Sequence, residues 1–160
     1  MIRKFETADI ERVMKIWIDS NLDAHSFIPA DYWQTHFSGA EKAISAAEVY
    51  VYETEGVIIA FMGIKNRHIE GIFVDSKHRS QGIGKELLDY AKGLYNKLTL
   101  SVYKRNARAA EFYLREGFVA DREQMDFDTC ETEIFMKWEN GEAKNEKLNS
   151  YRNIFSSRCA

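Results

Sequence analysis

The 160-residue chain holds one proline, Pro29, and two cysteines, Cys130 and Cys159. Cysteines so far apart give neither a disulfide framework nor the paired spacing of a zinc site, so free thiols and no metal are expected. Long apolar runs are missing too: nothing approaches the ~20 residues that cross a membrane. The opening "MIRKFETADI" lacks the apolar core of a signal peptide, which points to a cytoplasmic protein with no membrane partner. Nor is there an excess of positive charge. A net charge of −3 excludes a general nucleic-acid binder, so no nucleic acid is expected as a partner. What remains, 45% hydrophobic and 29% charged residues, is ordinary globular composition of a length that suits one core.

Apolar periodicity lays out the elements. "MIRKF" reads as a short strand, and Thr7 as the cap of a helix that turns Ile10, Val13, Met14 and Trp17 inward. "NLDAHSFIPA", residues 21–30, breaks that pattern before a second helical region over Asp31 to Ala47. "EVYVYET" alternates as a strand, "EGVIIAFMGIK" gives another after a turn at Glu55 and Gly56, and "RHIEGIFVD" gives a fourth, the three forming an antiparallel meander. "RSQGIGKELLDYAKGLY" places Ile83, Leu87, Leu88, Ala91 and Leu94 on one helical face. "LTLSVY" follows as a fifth strand, parallel to the fourth because a helix intervenes. Residues 106–116 read as a helix stopped by Gly117, and "FVADREQMDF" with "ETEIFMKW" as a closing hairpin. The expected domain spans 1–138, leaving 139–160 as a charged tail, frayed or marginally helical, that holds Cys159.

Glycine within a helix costs roughly 1 kcal/mol relative to alanine, so Gly82 and Gly84 at a helix start answer another demand on the backbone. One candidate is a turn, with Ser80 as the cap. The other is an anion cradle, in which residues without side chains let a phosphate reach the N–H groups of the first helical turn. A Walker A loop is excluded, because Glu86 follows Gly84-Lys85 and the upstream glycine is missing. The dinucleotide fingerprint is not met either: Leu87 stands at its third glycine and antiparallel strands precede it. Arg79, Gly82 and Gly84 form an RxxGxG pattern directly after "IEGIFVD". Further on, "NARAAEFYLREGF" supplies an Asn, a helix with a Phe-Tyr pair, then Gly-Phe. In this order the two stretches resemble the acetyl-CoA-binding motif and the second recurring stretch of the GNAT N-acetyltransferase superfamily, with element order matching over about Met1 to Trp138. One departure is Ser76, where members often carry proline.

That resemblance implies an α/β (α+β) fold. Its central sheet is mixed and mostly antiparallel, with about seven strands, about four flanking helices, and splayed fourth and fifth strands. It implies acetyl-CoA as co-substrate and an acyltransferase that passes the acetyl group to a primary amine by direct attack in a ternary complex. Val74 would pair its backbone with the pantetheine arm, and the Phe73 N–H would face the acetyl carbonyl. Arg79, Ser80, Gln81, Gly82, Ile83, Gly84 and Lys85 would take the diphosphate. Lys77 and His78 flank that site and Lys104, Arg105 and Arg108 begin the other motif, cations that suit the CoA phosphates or simply form a solvated charged surface. Asn106 matches the family residue that contacts the cofactor arm, and it also reads as a helix cap. Tyr113 matches the tyrosine that protonates the departing sulfur, which a neutral phenol can do; the alternative is a helix aromatic packed in the core. The attacking amine must lose a proton, for which Glu70, expected to be partly buried, is the first candidate and His68 the second.

The pattern break falls where GNAT proteins cover the acceptor. His25, Phe27, Ile28, Tyr32 and Trp33 would line an aromatic slot, with Asp23 or Asp31 attracting a cationic amine; alternatively Phe27, Trp33 and Phe37 anchor helices to the sheet. The acceptor is open between a small amine and a peptide or protein amine, and the assembly between monomer and homodimer. No cysteine stands at a nucleophile position, which favours direct transfer over an acetyl-enzyme. The alternative function is a catalytically silent acyl-CoA-binding sensor module of the same fold.

Overall fold

The computed structural model describes residues 1–141; Cys159 and nearly all of the expected tail lie outside the described residues. Seven strands form one sheet: β1 (Ile2–Lys4), β2 (Glu48–Thr54), β3 (Val57–Lys65), β4 (His68–Val74), β5 (Lys97–Tyr103), β6 (Val119–Asp126) and β7 (Glu131–Glu139). Their order is β1-β2-β3-β4-β5-β7-β6, and every neighbouring pair is antiparallel except β4 with β5. This is the mixed sheet expected from the sequence. The helices are α1 (Ile10–Ala24), α2 (Ala30–Thr35), α3 (Phe37–Ala46), α4 (Ile83–Leu94) and α5 (Ala107–Arg115). The single helical region expected over Asp31 to Ala47 is therefore two helices, because His36 leaves helical geometry with φ −88° and ψ 0°.

Helix α1 does not begin at a Thr7 cap. Thr7 lies in a short 3-10 turn, and it is the buried Asp9 carboxylate that accepts the Glu6 N–H at 2.8 Å. The same carboxylate takes the Arg3 guanidinium at 2.8 and 3.0 Å, and Arg3 reaches Glu53 at 2.7 Å, so one acid ties the entry of α1 to β1 and β2.

Helices cover the sheet on both faces. On one, α4 and α5 bury Leu87, Leu88 and Ala91 against Ile69, Leu100 and Met136. On the other, α1 to α3 bury Val13, Met14, Trp17 and Trp33 against Val51 and Phe61. Fully burying a leucine such as Leu87 or Leu88 contributes about 1.5–3 kcal/mol. Strand β3 is sandwiched, and this explains why "VIIAFMGI" reads as a nearly continuous apolar run.

Strands β4 and β5 part almost at once. Their ladder holds only His68 with Thr99 and Ile69 with Leu100, although β4 continues to Val74 and β5 to Tyr103. A local cause lies on the other edge of β4. Gly63 pairs with Gly71 and Ile64 with Ile69, which leaves Glu70 as an unpaired bulge residue. A bulge bends and over-twists its strand, and this one falls where β4 leaves β5.

Candidate active site

The parting of β4 and β5 opens a cleft of about 980 Å³. Ile72, Phe73 and Val74 of β4 form one wall and Asn106, Phe112 and Tyr113 another; Gly82 to Lys85 and the end of α1 complete it.

The two glycines serve different purposes. Gly82 stands at the N-cap of α4 with φ 83°, the left-handed region that glycine adopts without penalty. Gly84 is not so constrained: a Cβ there would meet Phe112, Ile72 and Val74 at 3.8–4.0 Å, so a methyl fits but a larger side chain would fill the cleft. Ser80 is not the cap. With φ 60° it precedes the helix, and its Oγ accepts from Arg108 at 3.0 Å. Ile83 is buried in the α4 core, whereas the Gln81 side chain is exposed and its amide reaches the Lys77 carbonyl at 3.4 Å. Lys85 is engaged by Asp89 at 2.6 Å and Glu116 at 3.5 Å. The Arg79 guanidinium pairs with Asp23 and reaches the Val74 carbonyl at 3.4 Å, so Asp23 faces a cation of the chain itself and is not held ready for an amine.

Asn106 caps α5 by accepting the Ala109 N–H at 3.3 Å, and its Nδ2 lies 3.2 Å from His25 Nε2. Tyr113 is buried between Phe112 and Phe118, with ring centroids at 5.1 and 5.7 Å, and lines the cleft. Its hydroxyl makes no hydrogen bond to another described residue. Burial pushes that phenol above its ordinary range, so it stays protonated and able to donate. The turn beyond it is rigid: Phe118 N–H bonds the Tyr113 carbonyl at 3.0 Å, Gly117 N–H bonds Leu114 at 3.1 Å, and Gly117 has φ 90°. These are the paired bonds of a Schellman end, as expected for Gly117.

On the opposite wall, Phe73 stacks on Phe61 at 4.8 Å, and its ring lies where a Gly71 Cβ would sit, within 2.4 Å. The side chain is thus held on the α1 side while the residue still lines the cleft. His68 is half-buried, bonded through Nδ1 to Thr99 Oγ1 at 2.8 Å. The partial burial expected for Glu70 is absent: the bulge leaves it exposed, and neither Glu70 nor His68 lines the cleft.

Of the expected acceptor slot, only His25 reaches the cleft. Ile28 and Trp33 are buried with Trp17, and Phe27 and Tyr32 pack on the same cluster, so these side chains anchor helices to the sheet. Asp31 is exposed. His25 stacks on Trp33 at 5.2 Å and meets Tyr103 edge-on at 5.1 Å; burial pushes its pKa down to about 4, which keeps it neutral. Sequence reading missed Ser20 and Asn21, two buried polar residues of α1 that line the cleft. They continue the inward stripe of Val13 and Trp17 at helical spacing, and polar residues on such a stripe are a usable signal. The Asn21 amide is satisfied locally by the Trp17 carbonyl at 3.0 Å.

Residues 45–120 match the family described as an acetyltransferase (GNAT) domain. The peptidyl-lysine N-acetyltransferase YiaC of Escherichia coli (strain K12) is 32% identical over 120 residues, which cover 74% of this chain and 82% of that protein. The chain belongs to the GNAT acetyltransferase family. Its activity is acetyl-CoA-dependent N-acetyl transfer. Peptidyl-lysine N-acetyltransferase YjaB of Salmonella typhimurium (strain LT2) is 30% identical over 127 residues, 78% of this chain and 88% of its own. The fold agrees. The apo solution structure of YjaB from Escherichia coli matches with TM-score 0.74 at 23% identity, covering 88% of this chain and 98% of that one. The yncA structure from Salmonella typhimurium, solved with acetyl-CoA, matches with TM-score 0.60 at 16% identity over 87% and 92%. Among the described residues, no helix is long and apolar enough to cross a membrane.

Proposed function

We propose that this acetyltransferase acts in the cytoplasm on the ε-amine of a lysine within a peptide or protein, by direct transfer in a ternary complex. The relatives named above are peptidyl-lysine N-acetyltransferases, which supports this acceptor over a small amine. The observation that carries the mechanism is a protonated tyrosine hydroxyl without a described partner on one wall of a cleft whose other wall is the free edge of β4.

The amine nitrogen attacks the thioester carbonyl, forming the C–N bond as the C–S bond breaks. The departing thiolate takes the Tyr113 proton, and a backbone N–H on the free edge of β4 donates to the carbonyl oxygen as it gains charge. Ile72 and Val74 turn their backbone to that edge, whereas Phe73, opposite Phe61 in the ladder in which the Asp75 N–H bonds the Ile59 carbonyl at 2.8 Å, turns the N–H expected for this role towards β3. The backbone of Val74 pairs with the pantetheine arm like an added strand, beside Asn106. Backbone N–H groups of Arg79 to Lys85 take the diphosphate. Glu70 or His68 accepts the proton that the ammonium loses before attack, with exposed Glu70 acting through water, and the second proton, shed by the nitrogen once the C–N bond has formed, returns through water to the Tyr113 oxygen.

Thermal unfolding with CoA, acetyl-CoA, ATP and NAD in parallel, on the native chain and Gly84→Trp, tests the cradle. A ligand at 100 times its Kd adds about 2.7 kcal/mol, easily read as a higher midpoint. The expected result is stabilisation by CoA and acetyl-CoA alone, lost in a folded Gly84→Trp. Mass spectrometry of lysine peptides incubated with enzyme and acetyl-CoA then tests the acceptor. Acetylation of free polyamines but of no peptide lysine overturns that half.

A further inference from the structure

Arg79 and Asn106, one side chain from each motif beside the cleft, are both engaged in the free protein, and by neighbours on one short segment. Asp23, in the last turn of α1, pairs with the Arg79 guanidinium. His25, where α1 ends, brings Nε2 to 3.2 Å from Asn106 Nδ2. The partners are 56 and 81 residues apart in sequence, so tertiary folding builds both tethers. Asp23 lines the cleft together with Arg79 and Arg108. Its carboxyl is held below the usual range, first by the bond to Arg79 and then by the charges of Arg79 and Arg108. A carboxylate on that guanidinium carries the sign of charge that a diphosphate carries, and it competes for the same donors.

We propose that Asp23 is a positioning residue: it latches the end of α1 onto Arg79 in the empty enzyme, and the cofactor's diphosphate must take Arg79 from it. This rests on the diphosphate reading of the Arg79 to Lys85 stretch. Binding then releases the segment that carries His25, so cofactor arrival and acceptor-side rearrangement become one event. The affinity of the empty enzyme is scaled down to the fraction that is unlatched. Asp23 is largely exposed, and such pairs hold weakly, so the latch together with the like charge lowers CoA affinity about three- to tenfold.

Calorimetric titration of the full chain with CoA tests this, using native protein, D23N, D23E and E111Q. Glu111 is exposed and lines the same cleft, so E111Q removes one nearby negative charge without touching the latch. The expected result is about three- to tenfold tighter CoA binding by D23N, a matching fall in KM for acetyl-CoA, native-like behaviour in D23E, and less than a twofold change in E111Q. A purely structural role for Asp23 predicts weaker binding in D23N instead. If D23N binds CoA no tighter, or E111Q tightens it equally, the latch is wrong. If the native chain binds no CoA at all, the diphosphate reading fails and takes the latch with it. Release of the segment is read separately in Trp138→Phe, where the remaining Trp17 and Trp33 lie 5.9 Å apart and Trp33 carries His25. Emission that does not respond to CoA refutes the release.

Discussion

Lowering the pH from 7 to 4 charges His25 in the unfolded chain well before it charges the folded one. In the fold the imidazole is stacked on Trp33 and meets Phe27 and Tyr103 edge-on, and desolvation takes its pKa from 6.5 down to about 4. Between those two values the unfolded state binds the extra proton, so stability falls as pH drops below about 6.5 and levels off near 4. At about 1.36 kcal/mol per pH unit, the full effect is capped at roughly 3 kcal/mol, a large share of the 5–15 kcal/mol typical of a domain. Urea denaturation of the native chain and His25→Gln at several pH values isolates it, because carboxylates such as Asp9 contribute equally to both and cancel in the difference. The native-minus-variant stability should decline by about 2–3 kcal/mol from pH 7 to 4. Parallel pH dependences of the two proteins would refute the claim that a half-buried neutral imidazole sits at the end of α1.

Tyr113→Phe removes a hydroxyl that bonds no described residue, so stability should stay within about 0.5 kcal/mol while kcat falls on the order of 10²-fold with little change in KM for acetyl-CoA. Steady-state kinetics beside a thermal melt separates the two effects, and an unchanged kcat would mark Tyr113 as packing only. Gly82→Ala forces a Cβ onto φ 83° and should cost about 1–2 kcal/mol in urea unfolding, with Gly82→Asn losing less because asparagine tolerates that region.

Features that depend on backbone demand or on apolar period were legible in the sequence. Gly82 and Gly117 sit at left-handed positions that few other residues occupy, so their places at helix ends could be read without a partner. Strand β2 followed from alternation and β3 from its apolar run after a turn, and the parallel β4–β5 pair from the helix between them. Aromatic residues were not legible in the same way. Phe27, Tyr32 and Trp33 have one composition whether they line a slot or fill a core, and only the position of Trp17 against Trp33 decides it. The α2–α3 break at His36 left no glycine or proline to mark it. The Asp23–Arg79 and His25–Asn106 contacts join segments that no local pattern relates.

The bulge at Glu70 connects these failures and successes. "RHIEGIFV" alternates equally well with or without an extra residue, so the register against β3, set by Gly63 with Gly71, is invisible in the string. Yet that register exposes Glu70 and marks where β4 turns from β5. The backbone groups of Gly71 to Val74 that face β5 then have no ladder partner in it, and the Val74 carbonyl takes only a long bond, 3.4 Å, from Arg79. Backbone donors and acceptors away from water normally find partners. An extended chain carrying amides would supply them, as in the pairing proposed for the pantetheine arm, and Gly84 leaves room for its passage. On the proposed reading the unpaired edge and the side-chain-free helix start are two halves of one binding surface, of which the sequence displays only the second.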